Sequence, residues 1–417
     1  MIRKMPSALR RWRIAALMAG IVIVMVGLCA GLAWAEASYA ADAQFYTYAP
    51  EQAVGPPGSI IRLEPMSGAP LGANAFRVLY RSTGLHGEAI AVSGVIVVPA
   101  GVAPNNGRNI VAWAHPTSGV VSRCAPSEAH FVFQTIMGLR EMVRRGYIVA
   151  ATDYPGLGTQ GPHPYLVGSS EARAVIDAVR AARQIPSAQA SDRYVVWGHS
   201  QGGQAALFTA MLTASYAPDL RLMGVAAAAP ATDLNGLLRD DADTDGGRNV
   251  TAMTLWSWHR VYGLPINNMV QPAAMPAVDA LSNECIESVY DILQRLYSQR
   301  PLRKQFLSVA DATHLEPWYA LVAENSPGTL PATIPVLLTQ GGADQLVLPL
   351  ITRAYAQRLC SAGSRVKYLE LAGVGHGFIA ADSAMHAVDW ITDRFDRVPA
   401  PDDCPALAQA SQSKPDE

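Results

Sequence analysis

A serine hydroxyl attacks a carbonyl only when a neighbouring imidazole takes its proton and a carboxylate holds that imidazole in the right tautomer. Ser200 sits where such chemistry could be built, within Gly198-His199-Ser200-Gln201-Gly202. The apolar stretch Tyr194-Val195-Val196-Trp197 comes directly before it and the helix-forming Gln204-Ala205-Ala206-Leu207 directly after. Strand, tight turn and helix in that order expose a strained serine at a sheet edge, and glycines two residues to either side let the strand and helix approach closely. A bare G-x-S-x-G is a weak signal that a plain glycine turn also produces, so the flanking elements decide in favour of a nucleophile.

The partners are expected downstream, acid before base, each on a loop at the carboxyl end of a strand. Gln340-Gly341-Gly342-Ala343-Asp344-Gln345 follows one apolar run and Gly373-Val374-Gly375-His376-Gly377 another, which nominates Asp344 as acid and His376 as base. The bland alternatives are a helix cap for Asp344 and a turn histidine for His376. Asp233 is the competing acid, and His386 is a poor competing base because its surroundings read as helix. Charge growing on a carbonyl oxygen needs two fixed N–H donors. Gln201, opening a helix after the nucleophile, is expected to supply one. The other is expected from His115-Pro116-Thr117-Ser118-Gly119; Pro116 has no N–H, which leaves Thr117, with His115 bracing the loop.

Eight apolar runs, 76–80, 89–98, 110–114, 147–152, 194–197, 222–229, 334–339 and 366–371, read as strands, and helical patterns between the later ones suit parallel crossovers. The class is α/β, a mostly parallel eight-stranded sheet. The stretch 234–333 is too long for a crossover and reads as a helical cap inserted after the sixth of these strands. It divides the core into 36–233 and 334–398, and the Pro- and Asp-rich 399–417 is expected to be a flexible tail, loose except near Cys404. Within the cap, Met253, Leu255, Trp256, Trp258, Met269 and Trp318 offer an apolar slot for an acyl chain. Ile286, Val289, Tyr290, Leu293, Leu296 and Tyr297 recur at helical spacing, a stripe expected mainly to pack the cap onto the sheet.

Residues 1–35 hold five positive charges, Arg3, Lys4, Arg10, Arg11 and Arg13, then a long uncharged run ending Ala33-Trp34-Ala35, the pattern of an export signal or uncleaved anchor. Removing the five takes the net charge from -2 to -7, so no basic surplus remains to hold nucleic acid. Cys29 lies inside that segment; Cys124, Cys285, Cys360 and Cys404 remain, enough for two disulfides whose pairing the spacing leaves open. Gly156-Leu157-Gly158-Thr159-Gln160-Gly161 mimics a dinucleotide fingerprint, but Pro162 and Pro164 stand where its helix should open. Asp241-Ala242-Asp243-Thr244-Asp245-Gly246 mimics a calcium loop, yet its twelfth position is Ala252. No zinc motif is present, no cofactor and no metal site are expected, and calcium is left only as a weak ligand of the cap.

Taken together, Ala112-Trp113-Ala114-His115-Pro116-Thr117-Ser118-Gly119, Cys124-Ala125-Pro126-Ser127, Asp153-Tyr154-Pro155-Gly156-Leu157-Gly158, the Ser200 motif and the Asp344 and His376 loops resemble the secretory lipases, the lipase A type of the α/β-hydrolase fold. Pro116 departs from the glycine many relatives carry. The resemblance implies hydrolysis of carboxylic or triacylglycerol esters, a Cys124 to Cys285 bridge and hence Cys360 with Cys404. Tyr154, Trp256 and Trp258 are carried as substrate-binding candidates. The expected partner is a small-molecule or lipid ester, with contact to a lipid interface allowed for; a monomer is expected. An acyltransferase or peptidase with the same triad is the alternative, and a non-catalytic binding protein on this scaffold a third reading.

Overall fold

The computed structural model describes residues 44–240, 244–286, 289–308 and 315–412. The export segment, Cys29 and Asp241 to Asp243 of the acidic turn lie outside them. The chain divides into a unit of residues 1–47 and one of residues 48–417, and the fold is that of the second.

Nine strands form one sheet: β1 (Ile60–Met66), β2 (Ala73–Thr83), β3 (Ala89–Pro99), β4 (Arg108–Ala114), β5 (Ile148–Thr152), β6 (Ala190–His199), β7 (Arg221–Ala228), β8 (Val336–Gly341) and β9 (Val366–Leu371). Their spatial order is β1-β2-β3-β5-β4-β6-β7-β8-β9. The pairs β1/β2, β2/β3 and β3/β5 are antiparallel, and every pair from β5/β4 to β8/β9 is parallel. The sheet therefore has one strand more than the eight expected. β1 escapes the sequence pattern because Arg62, Glu64 and Pro65 break its apolar run, which an edge strand tolerates and a central one would not.

Central strands are buried on both faces, so alternate residues feed two separate cores. Ile110, Ala112 and Ala114 of β4 join one core with Ala174 and Val175 of the helix Gly168–Gln184 and Ala205 and Ala206 of the helix Gln201–Tyr216. Val111 and Trp113 join the other, with Met142 of Leu139–Arg144 and Ile391 of Ala384–Phe395. Residues between β7 and β8 supply the helices Leu234–Asp240, Asp245–Tyr262, Met275–Ser282, Val289–Ser298 and Trp318–Glu324. Thr244 caps the second by accepting a hydrogen bond from the Gly247 N–H (2.9 Å), and Gly263, with φ of 68°, ends it in the left-handed region. Trp258 and Trp318 share the second core, so this segment and the sheet are one compact unit.

One expectation needs correction and another needs extending, the order near Cys404 reaching further along the tail than expected. The stripe on Val289–Ser298 does not face the sheet: Tyr290, Leu293, Leu296 and Tyr297 are all exposed, while the same helix buries Arg295, whose guanidinium donates to the Leu281 and Glu284 carbonyls (2.7 Å each). Periodicity shows that a helix has an apolar side and not which way it turns. The carboxyl-terminal tail is helical over Cys404–Gln412, because Cys404 is bonded to Cys360 and the Asp403 carboxylate accepts the Tyr368 N–H (3.0 Å). The second bridge is Cys124 to Cys285, so both pairings are those the resemblance implied. In the chain-entropy model, closing loops of 161 and 44 residues contributes about 5 and about 4 kcal/mol.

Candidate active site

β6 ends at His199 and the helix Gln201–Tyr216 begins two residues later, leaving Ser200 alone at the corner with φ of 56° and ψ of −117°. A serine stays there only because its surroundings hold it: its N–H donates to the Ala228 carbonyl (2.9 Å) and its carbonyl accepts the Gln204 N–H (3.0 Å). The flanking glycines are obligatory. A Cβ on Gly198 would lie 2.1 Å from the Gly202 carbonyl oxygen, and one on Gly202 would lie 1.9 Å from that of Ala114.

The loops after β8 and β9 bring the two predicted partners to this corner. Ser200 Oγ lies 2.8 Å from His376 Nε2, and His376 Nδ1 lies 2.8 Å from Asp344 Oδ2. Asp344 is buried. Its other oxygen accepts the Leu346 and Val347 N–H groups (2.9 Å each), and the Gln340 amide donates to Oδ2 (3.2 Å). Burial pushes this carboxyl up, but the His376 hydrogen bond and charge and the two backbone donors outweigh it and leave the group below its ordinary value. A carboxylate held this way fixes the proton of His376 on Nδ1 and leaves Nε2 free to accept from the serine. His199 was not singled out from the sequence. It is buried beside His376, with ring centroids 5.1 Å apart, and its Nε2 lies 3.0 Å from the His376 carbonyl. Burial, with the neighbouring His376 charge, pushes it down to about 3, so it is neutral and donates. The rejected candidates are occupied elsewhere: Asp233 accepts the Gly236 N–H (3.0 Å) at a helix start, and His386 is exposed on Ala384–Phe395.

Gln201 and Thr117 stand on two different elements. Gln201 opens the helix after it. Thr117 lies on the loop after β4, its hydroxyl sharing a 2.8 Å hydrogen bond with that of Tyr165. His115 braces this loop as expected, its ring lying between the Pro116 and Asp153 carbonyls (2.6 and 3.2 Å) and pushed down to about 4 by burial. Beside Thr117 opens a cavity of about 310 Å³ whose lining includes Pro116, Ser118, Phe131, Ile286 and Asp291. The three substrate-binding candidates do not line it. Tyr154 is wholly buried, its hydroxyl donating to the His115 carbonyl (3.1 Å). Trp258 donates to the Tyr165 carbonyl (2.8 Å) and stacks on Trp318, and Trp256 donates to Asp279 (2.9 Å) beneath the Arg260 guanidinium. The glycine-rich 156–161 segment forms an irregular loop, and no helix opens until Gly168.

Asp153, at the start of that loop, ties it to the segment behind Cys124. One carboxylate oxygen accepts the Ser127 N–H (2.9 Å), and the other accepts the Ser93 hydroxyl (2.6 Å) and that of Ser127. Burial nevertheless pushes the carboxyl up to about 6. The folded state then holds a proton that the unfolded chain, near 3.9, has released. Its contribution is full below about 4 and is lost as pH rises through 6, a change of about 3 kcal/mol. Asp153→Asn cannot titrate. The stability of the native protein relative to this variant is expected to fall by that amount from pH 4 to pH 8; urea unfolding at both values checks it, and a constant difference would contradict it.

The profile of the secretory lipase family matches residues 128–403. A Mycobacterium tuberculosis protein named as a probable inactive lipase is 25% identical over 373 residues, 83% of this chain and 80% of that one. The secreted triacylglycerol lipase LIP7 of Malassezia globosa is 25% identical over 362 residues, 80% and 74% of the two chains. Among solved structures, Candida antarctica lipase A in its closed state superposes with a TM-score of 0.69 at 16% identity, covering 86% of this chain and 88% of that one. A ligand-bound form of the rice cell wall degrading esterase LipA from Xanthomonas oryzae gives 0.66 at 19%, covering 83% and 100%. At such identities the structural likeness speaks for the fold, and the profile match runs through the Ser200, Asp344 and His376 segments. The chain belongs to the secretory lipase family and is an ester-hydrolysing lipase of the α/β-hydrolase fold.

Proposed function

We propose that Ser200 is the nucleophile, His376 the general base and acid, Asp344 the group that orients and stabilises it, and the Gln201 and Thr117 N–H groups the oxyanion donors. The observation carrying this reading is the unbroken pair of 2.8 Å hydrogen bonds from Ser200 through His376 to Asp344. Ser200 Oγ adds to the ester carbonyl as its proton passes to His376 Nε2. The carbonyl oxygen becomes an anion facing the two N–H donors. When the carbon–oxygen bond to the alcohol breaks, His376 returns the proton to that oxygen, and the acyl group stays on Ser200. Water then repeats the sequence, giving its proton to His376 and releasing the acid.

The substrate is a lipid ester. The cavity beside Thr117 supports an acyl or alcohol group lying against Phe131 and Ile286. Exposed Phe131, Tyr290, Leu293 and Tyr297 support contact with a lipid aggregate. The segment between β7 and β8 acts as the cap of this site. Two disulfides and the secretory family agree with an extracellular protein. Export through residues 1–35 follows from their charge and apolar pattern. Among the described residues no helix is long and apolar enough to cross a membrane.

A fluorophosphonate probe, which is attacked by an activated serine, tests the assignment. The label is expected on the peptide containing Ser200, with hydrolysis of p-nitrophenyl esters abolished in step. Label on another serine, or full hydrolysis after complete labelling, would overturn the reading.

A further inference from the structure

The side chain of Gln201 is buried and bonded to two other buried groups. Its Nε2 lies 2.8 Å from Glu171 Oε1 and 2.7 Å from His163 Nε2, so one amide group donates both its protons. Glu171 stands in the first turn of Gly168–Gln184 and also accepts the Leu166 N–H (3.0 Å). His163 Nδ1 faces the Pro155 carbonyl (2.9 Å), which leaves Nε2 as the acceptor Gln201 needs. All three side chains are shut off from solvent. Burial drives Glu171 well above the usual carboxylate range, against its hydrogen bonds, and lowers His163 to about 3, so His163 is neutral at pH 7. The His163 ring stacks on Tyr154, with an interplanar angle of 10°, and the hydroxyl of Tyr154 donates to the His115 carbonyl. The ring of Tyr165 also lies beside that of His163, with centroids 6.1 Å apart, and its hydroxyl shares a hydrogen bond with that of Thr117.

We infer that Glu171 and His163 are positioning residues for the oxyanion hole: through Gln201 on one side and through Tyr154, Tyr165 and the His115 to Thr117 loop on the other, they set the distance between two donors carried by different elements. This rests on the assignment of Gln201 and Thr117 as those donors. Ester hydrolysis needs no acid at Glu171, whose hydrogen bonds go to Gln201 and Leu166 and to no member of the Ser200 relay. Glu171 gives Gln201 a buried acceptor, and burial disfavours a negative charge on it behind the helix start that must receive the oxyanion. Isosteric glutamine can supply the same acceptor, whereas leucine cannot.

The test compares Glu171→Leu, Glu171→Gln and His163→Phe in the full chain. The readouts are kcat and KM for p-nitrophenyl butyrate and the inhibition constant of an alkyl trifluoromethyl ketone, which adds to the serine and places an oxyanion in the same hole. Glu171→Leu and His163→Phe are expected to lower kcat by about 10²–10³, the loss seen when an oxyanion donor is removed, and to weaken the ketone by a similar factor with KM within about threefold. Glu171→Gln is expected to restore both to within tenfold of the native protein. A folded Glu171→Leu or His163→Phe with native kcat and ketone affinity would overturn the inference, as would a glutamine variant as impaired as leucine. A leucine variant that fails to fold leaves His163→Phe to decide, because phenylalanine retains the stacking on Tyr154. Ser200→Ala in the same assays separates the two levels: if it retains turnover the proposed function falls, and if it is silent while Glu171→Leu is native only the positioning role falls.

Discussion

Ser200→Ala is expected to lower kcat for a soluble p-nitrophenyl ester by about 10⁶, with the fold intact. Alanine removes the hydroxyl and its bond to His376, and keeps a Cβ of the same geometry at the corner. His376→Ala is expected to cost about as much, because a serine without a base is an ordinary alcohol. The double variant is expected to lose little more than either alone, since each substitution already disables the same step. Turnover by the variants is then what the oxyanion donors and binding alone sustain, a residual about 10³–10⁴ above water. Single-turnover kinetics with circular dichroism checks the set. Independent, multiplying losses in the double variant would contradict a shared relay, and native turnover in Ser200→Ala would remove the nucleophile.

Asp344→Asn is expected to lower kcat by about 10⁴. The side chain keeps its shape, and its oxygen can still accept the Leu346 and Val347 N–H groups, so the loop is held. The change falls on Oδ2, which becomes an amide facing His376 Nδ1 and the Gln340 amide. His376 can then satisfy it only by moving its proton to Nε2, where it blocks acceptance from Ser200. Asp233→Asn serves as the control, expected within threefold of native, because Asp233 caps a helix and touches no member of the relay. A loss of less than tenfold in Asp344→Asn, or an equal loss in Asp233→Asn, would assign the acid wrongly.

What the sequence made legible follows from how local each signal is. Ser200, Asp344 and His376 each stand beside glycines at the end of an apolar run, so a strand end and an open loop could be read within ten residues of each. The parallel strands were legible for the same reason, being continuous apolar runs. β1 was not, since a half-exposed edge strand with Pro65 carries no such run. His199, His163 and Glu171 were missed because their meaning lies in partners 177, 38 and 30 residues away, and nothing beside them in the chain marks it. The tryptophans show the limit of composition. Trp256 and Trp258 were rightly read as apolar, but their indole N–H groups are spent on Asp279 and the Tyr165 carbonyl, which turns both rings into the packed interior. The exposed stripe on Val289–Ser298 is the mirror case, a correct helix with its apolar side turned outward.

The bond between Cys124 and Cys285 links the segment just past Thr117 to the far part of the chain, and the Ile286 N–H donates to the Ser118 carbonyl (2.7 Å) beside it. Half of this clasp is synthesised long after the other. In reducing surroundings the Thr117 loop is therefore not tied covalently to the segment of Cys285, and the clasp closes only in oxidising ones. The loop proposed to polarise the carbonyl is in this way braced only where disulfides persist, the surroundings that an extracellular protein meets.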